Sequence, residues 1–146
     1  MQAALNLAKA TGLPVYTLIS GMGNRRYLKY RHTIRFPKGG AGPDMFLSLA
    51  ANAAYVVTDS FHGTLFSLIF HRPFCSVAGK NKDGRLGDDY RIRNILNLVG
   101  LQSQFVLQDE VVQQMNKAID WEKVDRLRMN EAEKSRTFLS EALSGL

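Results

Sequence analysis

Between Tyr55 and Phe70 the chain reads YVVTDSFHGTLFSLIF, and the residues in the middle of that run are of the types that hold anions and move protons. A hydrophobic strand leads into Asp59 and Ser60, then Phe61, His62 and Gly63, then an apolar helix. Ser60 is a good N-cap, and residues 61 to 63 then carry backbone N–H groups with no acceptor inside the helix. The helix dipole adds about half a positive charge at that end. An anion suits such a place, and the missing Cβ of Gly63 lets a phosphate or carboxylate approach the backbone. His62, in the first turn, can reach the same anion, and an imidazole is a side chain that can give or take a proton near neutral pH. A plainer reading stands beside this one: Ser60 only caps, Gly63 only lets helix and strand pack closely, and His62 is a packed histidine. His32 lies in a basic stretch and His71 ends a helix, where a cation suits the dipole; both read as structural or surface residues.

A strand–turn–helix of this kind needs a sheet to carry it, and the flanking sequence supplies one. Gln2–Ala10 reads as a helix stopped by Gly12, with Pro14 beyond. Val15–Ile19 is β-branched and aromatic and reads as a buried strand, and His32–Phe36 as a short one, with a loop over Ser20–Lys29 and a turn over Lys38–Pro43. Asp44–Ala53 is a helix with Pro43 suited to its first turn. Ala54–Thr58 is a second buried strand, Phe61–Phe70 a helix apolar nearly all round, and Pro73–Val77 a third strand. Gly79–Asp89 holds three glycines and reads as a mobile polar loop. Tyr90–Val99 is a helix, Phe105–Leu107 a last strand, and Val111–Ile119 and Val124–Leu143 are helical, with Asp109 and Asp120 as N-caps. Strands alternating with helices predict one α/β domain over residues 1–146, closed by a helix over residues 120–146. Its sheet is mostly parallel, covered on both faces, with Ala54–Thr58 at the centre. Ligands of such sheets bind at the carboxyl ends of the strands.

Composition bounds the function. With 45% hydrophobic and 22% charged residues, the 146-residue chain is neither disordered nor fibrous. Its single cysteine, Cys75, forms no intrachain disulfide, and one cysteine with three histidines offers no zinc spacing, so no metal and no cofactor is expected. The apolar run Leu65–Phe70 is far short of the roughly 18 residues of a membrane span. No leader pattern opens the chain, which reads as soluble and cytoplasmic. Arg25, Arg26, Lys29, Arg31, Arg35 and Lys38 occur with no acid between Asn24 and Lys38, and these six equal the net charge of +6. Such a patch suits an anionic partner or a solvated loop; without a nucleic-acid-binding motif, nucleic acid is not expected.

The stretch YVVTDSFHGTLFSLIFHRPF resembles the signature of the polysaccharide pyruvyl transferases. GPDMFLSLAANA resembles the helix before that signature, YRIRNILNLVGL the family's Arg-Ile and leucine-rich helix, and the run from Ile119 its closing helix. The resemblance covers roughly Gly40 to the C-terminus, with Val15–Ile19 as an earlier strand. It implies transfer of the enolpyruvyl part of phosphoenolpyruvate to a sugar hydroxyl pair as a ketal, with release of phosphate. The implied setting is bacterial surface or exopolysaccharide biosynthesis, in the cytoplasm or at the inner membrane surface. It implies a fold like the C-terminal, donor-side half of the two-Rossmann-domain glycosyltransferases. Family members are usually more than twice this long, so a missing N-terminal half would be a partner to this one. His62 is carried over as the catalytic histidine, and Arg91 of Tyr-Arg-Ile as an anion ligand. Ser60, Phe61, Gly63, Thr64 and Arg85 complete the substrate-binding set. One departure is that Gly100-Leu101 is followed by Gln102, Ser103 and Gln104, where many members have an arginine. Two other readings stay open: the donor half of a sugar-nucleotide glycosyltransferase, and a non-enzymatic Rossmann-like module.

Overall fold

Helix α1 spans Gln2–Thr11 and stops where the sequence marks it. Gly12 takes a left-handed conformation at φ 73°, which costs little without a Cβ, and its N–H bonds the Ala8 carbonyl. The computed structural model describes residues 1–17, 34–35 (backbone only), 42–78 and 89–144. The rest of the basic stretch, His32, residues 18–19 of the first expected strand and residues 79–88, with Arg85, lie outside the described residues.

After α1 come β1 (Val15–Tyr16), β2 (Ile34–Arg35), α2 (Pro43–Asn52), β3 (Val56–Thr58) and α3 (Phe61–Ile69). They are followed by β4 (Phe74–Val77), α4 (Tyr90–Leu98), a 3-10 turn over Gln102–Gln104, β5 (Phe105–Val106), α5 (Val111–Met115) and α6 (Trp121–Ser144). The chain is thus α/β. β1 and β2 pair in parallel, Val15 opposite Ile34. The larger sheet is parallel in the order β3-β4-β5, with Val57 opposite Cys75 and Val77 opposite Val106.

The expectation that Ala54–Thr58 is central is corrected here. β4 is the central strand and β3 lies at an edge among the described residues. All four residues of β4 are buried, whereas those of β3 are half-buried and Ala54 and Tyr55 are exposed. Residue letters hid this because β4 carries a polar Ser76. Its hydroxyl is buried but lies 2.8 Å from that of Thr64, so the centre of the sheet tolerates it.

Alternation along β4 builds two cores. Cys75 and Val77 face Ala3 and Leu7 of α1 and Val111 and Met115 of α5. Phe74 faces the other way, against Leu68 of α3, Ile92 and Leu96 of α4 and Val124 of α6. Helices therefore cover both faces of this sheet, as its continuous apolar strands require. α3 is not buried all round, however: Ile69 is 49% exposed. Its sheet-facing side is Gly63, Thr64, Ser67 and Leu68, mostly small residues that let the helix lie close. The larger Phe66 packs sideways, its ring 5.3 Å from that of Phe46 on α2.

Two boundaries differ from expectation. α5 ends at Met115, not Ile119, and its N-cap is Glu110, not Asp109. The Glu110 carboxylate instead accepts the Leu107 N–H at 2.8 Å, which fixes the turn out of β5 before the helix begins. α6 starts at Trp121, before the expected Val124, because the Asp120 carboxylate accepts the Lys123 N–H at 3.0 Å.

α6 is pinned at the far end of α3. His71 takes φ 51°, a left-handed conformation unusual for a residue with a side chain. There the Arg72 N–H bonds the Ser67 carbonyl and the His71 N–H that of Leu68, closing the helix in a Schellman motif. The His71 ring stacks on Trp121 at 5.0 Å and its Nε2 lies 3.1 Å from Asp125 Oδ1.

Two measurements check this packing. The hydrogen bond from His71, aided by the His71 and Arg128 charges, holds the Asp125 carboxyl below the usual carboxylate range. A depressed folded-state pKa stabilises the fold above the unfolded value of about 3.9, and that share is lost as pH falls through the folded pKa. Asp125→Asn should therefore lower Tm near neutrality and flatten the loss of Tm in acid, as read by calorimetry over a pH series. Burial pushes the Cys75 thiol up to about 12. A disulfide reagent at mildly alkaline pH should leave the native thiol untouched and titrate it only after denaturation.

Candidate active site

The turn from β3 into α3 is held at three points. The Thr58 hydroxyl accepts the Ser60 N–H at 3.0 Å. Ser60 is extended (φ −101°, ψ 134°) and its Oγ accepts the Gly63 N–H at 3.4 Å, so it is the N-cap that its position predicts. The Thr64 hydroxyl donates to the Ser60 carbonyl at 3.1 Å, and Ser76 then supplies the proton for the 2.8 Å contact between Thr64 and Ser76.

The space left by the missing Cβ of Gly63 is taken by Thr58. Gly63 is buried, and a Cβ there would stand 3.0 Å from Thr58 Cβ and 3.1 Å from its Cγ2, with Oγ1 nearer still. Its N–H is already taken by Ser60. The glycine serves close packing of α3 on β3, the plainer of the two readings. Thr64, fully buried, braces the turn from beneath. That leaves Phe61 and His62, the first two helical residues, whose amides have no acceptor within α3.

His62 is exposed, and its ring meets that of Phe61 edge to face at 5.9 Å. Across from them, α4 begins at Tyr90. The guanidinium of Arg91 lies 5.4 Å from the centre of the Phe61 ring, a cation–π contact. Asp89, the N-cap of α4, accepts the Arg91 backbone N–H at 3.2 Å and grips the side chain in a fork, Nε at 3.2 Å and Nη2 at 3.0 Å. The hydrogen bond from Arg91 pulls the Asp89 carboxyl below its ordinary range, and the same bond raises Arg91.

The structure therefore brings Ser60, Phe61, His62, Gly63 and Arg91 to one place. Thr64 is near but covered, and Arg85 lies outside the described residues. Sequence reasoning missed Thr58 and Asp89 as parts of this assembly. The signal for Thr58 was a hydroxyl two residues before a capping serine, and for Asp89 an acid immediately before a helix that opens with Tyr-Arg. A cavity of about 750 Å³ runs between α1 and β1 on one side and α2 and β3 on the other, past Leu7, Tyr16, Leu49 and Val57 to Ser60 and Gly63. His62 is not in its lining. Among the described residues no three His, Cys, Asp or Glu side chains cluster as metal ligands, and no helix is long and apolar enough to cross a membrane.

A family model for polysaccharide pyruvyl transferase matches residues 3–81, and so includes α1, the Ser60–Gly63 turn and β4. That is over half of the 146 residues, and the chain belongs to the polysaccharide pyruvyl transferase family. No curated protein and no solved structure matches it. The match begins earlier than the sequence resemblance did and does not run to the C-terminus. The Tyr-Arg-Ile helix and the closing helix fall beyond it, so the place of Arg91 rests on the geometry.

The packing of Gly63 carries its own test. Gly63→Ala should cost about 1–3 kcal/mol through overpacking against Thr58. In a double-mutant cycle with Thr58→Ala, which removes both the hydroxyl and the Cγ2 methyl that the new Cβ would meet, the two costs should be less than additive. Chemical denaturation of the four proteins gives the coupling.

Proposed function

We propose that this chain holds phosphoenolpyruvate at the amino end of α3 and takes part in its transfer to a pair of sugar hydroxyls. The observation that carries the reading is that Arg91, from a separate helix, and His62 both meet the Phe61 ring in the first turn of α3, inside the segment the family model matches. Phosphoenolpyruvate bears a phosphate and a carboxylate. A guanidinium binds either in a forked geometry, and a helix end with two unbonded amides favours negative charge.

The transfer needs protons at two kinds of atom. One sugar oxygen adds to C2 of the enol while its proton leaves and C3 gains one. The C2–O bond to phosphate then breaks, and the second sugar oxygen closes the ketal at C2 as its proton departs. An exposed imidazole in the first turn of α3 is suited to give or take one of these protons near neutral pH. The family implies a saccharide as acceptor, and assembly of a surface polysaccharide on the cytoplasmic side is the setting that fits the donor.

His62→Gln keeps a hydrogen-bond donor and removes titration. In an enzyme that joins this chain to its other half, it should lower acceptor-dependent phosphate release from phosphoenolpyruvate by about 10²–10⁴. Tm should hardly change, because the residue is exposed in the first turn. Retained turnover with a lowered Tm would reject the catalytic role.

A further inference from the structure

We infer that Asp89 and Phe61 are positioning residues: together they hold the Arg91 guanidinium ready at the start of α3 before any anion arrives, and neither side chain needs to touch the donor. The inference deepens the reading above and rests on it for the identity of the anion. An unheld arginine at this exposed place would spread over many rotamers, and binding would have to order it. Here two contacts from different elements already do so. The Asp89 fork uses the Nε proton and one Nη2 proton, which fixes the plane of the guanidinium. The Phe61 ring, at 5.4 Å, lies against the guanidinium. Phe61 is half-buried and packs against the core cluster on this side of the sheet, so it does not swing with the ligand.

The donor count shows that the arrangement leaves work for the arginine. A guanidinium has five N–H donors, and Asp89 occupies two of them. The three that remain, both on Nη1 and one on Nη2, include the pair on neighbouring nitrogens that an anion accepts side by side. Asp89 can therefore stay in place while an oxyanion binds the outer edge. Asp89 is also a negative charge close to where an anion must sit. Charge alone makes Asp89 unfavourable to binding, whereas positioning makes it favourable, and the two predict opposite signs.

The experiment reads that sign. Asp89→Ser keeps a hydroxyl to cap α4 but loses both the charge and the fork, so it separates positioning from helix capping. Phe61→Leu keeps apolar bulk and removes the ring, and Phe61→Tyr restores it. Titration of each protein with phosphoenolpyruvate by calorimetry should show affinity weakened about 2- to 5-fold in Asp89→Ser and in Phe61→Leu, and recovered in Phe61→Tyr, as contacts of this size predict. In the ligand-free protein, relaxation of the Arg91 Nε–H resonance should report an ordered side chain in the wild type and in Phe61→Tyr, and a mobile one in Asp89→Ser and Phe61→Leu. Tighter binding in Asp89→Ser, unchanged binding in both Asp89→Ser and Phe61→Leu, or an Arg91 side chain equally mobile in all four proteins would overturn the inference. A wild type that shows the ordered arginine yet gives no heat with phosphoenolpyruvate would instead reject the donor assignment and leave the positioning standing.

Discussion

The close approach of α3 to β3 is the contact on which the rest of this site depends. Gly63 sits where any side chain would run into Thr58, and the helix lies that near to the strand because nothing projects between them. The distance sets the reach of the bond from α3 to the central strand. Thr64 meets Ser76 on the central strand, Ser67 bonds back to the Gly63 carbonyl at 2.8 Å, and the Thr58 hydroxyl catches the Ser60 amide. A polar seam of small side chains thus joins the helix to the sheet where larger apolar ones would hold them apart. Because Thr64, Ser67 and Ser76 are fully buried and paired, the seam is satisfied as well as tight.

From that seam the outward geometry follows. With Gly63, Thr64 and Ser67 turned to the sheet, the first turn of α3 leaves Phe61 half-buried and His62 exposed. Phe61 then becomes a surface on which the neighbouring helix rests its arginine. The arrangement is economical in residues: one ring contributes to the core behind it, meets the histidine edge to face and carries the guanidinium. Ser60 and Thr58 do for the backbone what Asp89 does for Arg91, each setting a group in place through short local bonds.

The other end of α3 is organised by a different principle. His71 occupies a backbone conformation that favours glycine, and it holds this place with a ring on Trp121 and a hydrogen-bonding distance to Asp125. Local backbone cost at that position is offset by long-range contacts that tie α6 to the fold. α6 otherwise buries Val124 alone, so its first turns, not its length, secure it.

The chain's own letters determined the α/β class, the order of the elements, the stop at Gly12, the cap at Ser60 and a local patch of candidate chemistry. These are effects of neighbours within a few residues: hydrophobic period, turn residues and side-chain caps act over one or two turns of chain. They also carried the family, through Asp-Ser-Phe-His-Gly between a strand and a helix, although the matched residues proved to be 3–81 rather than a stretch running to the C-terminus. What they did not determine were matters of long-range pairing. Which apolar strand is central depends on the partners of β4, and a buried Ser76 looks no different in sequence from an exposed one. Whether Gly63 faces a ligand or a strand depends on Thr58 standing beneath it. That Arg91 is gripped by Asp89 could be guessed from a capping pattern, but that the same arginine lies on Phe61, thirty residues earlier, could not. The tertiary structure decided it, because packing two helix starts against one side of a sheet brings together residues that no periodicity along the chain relates.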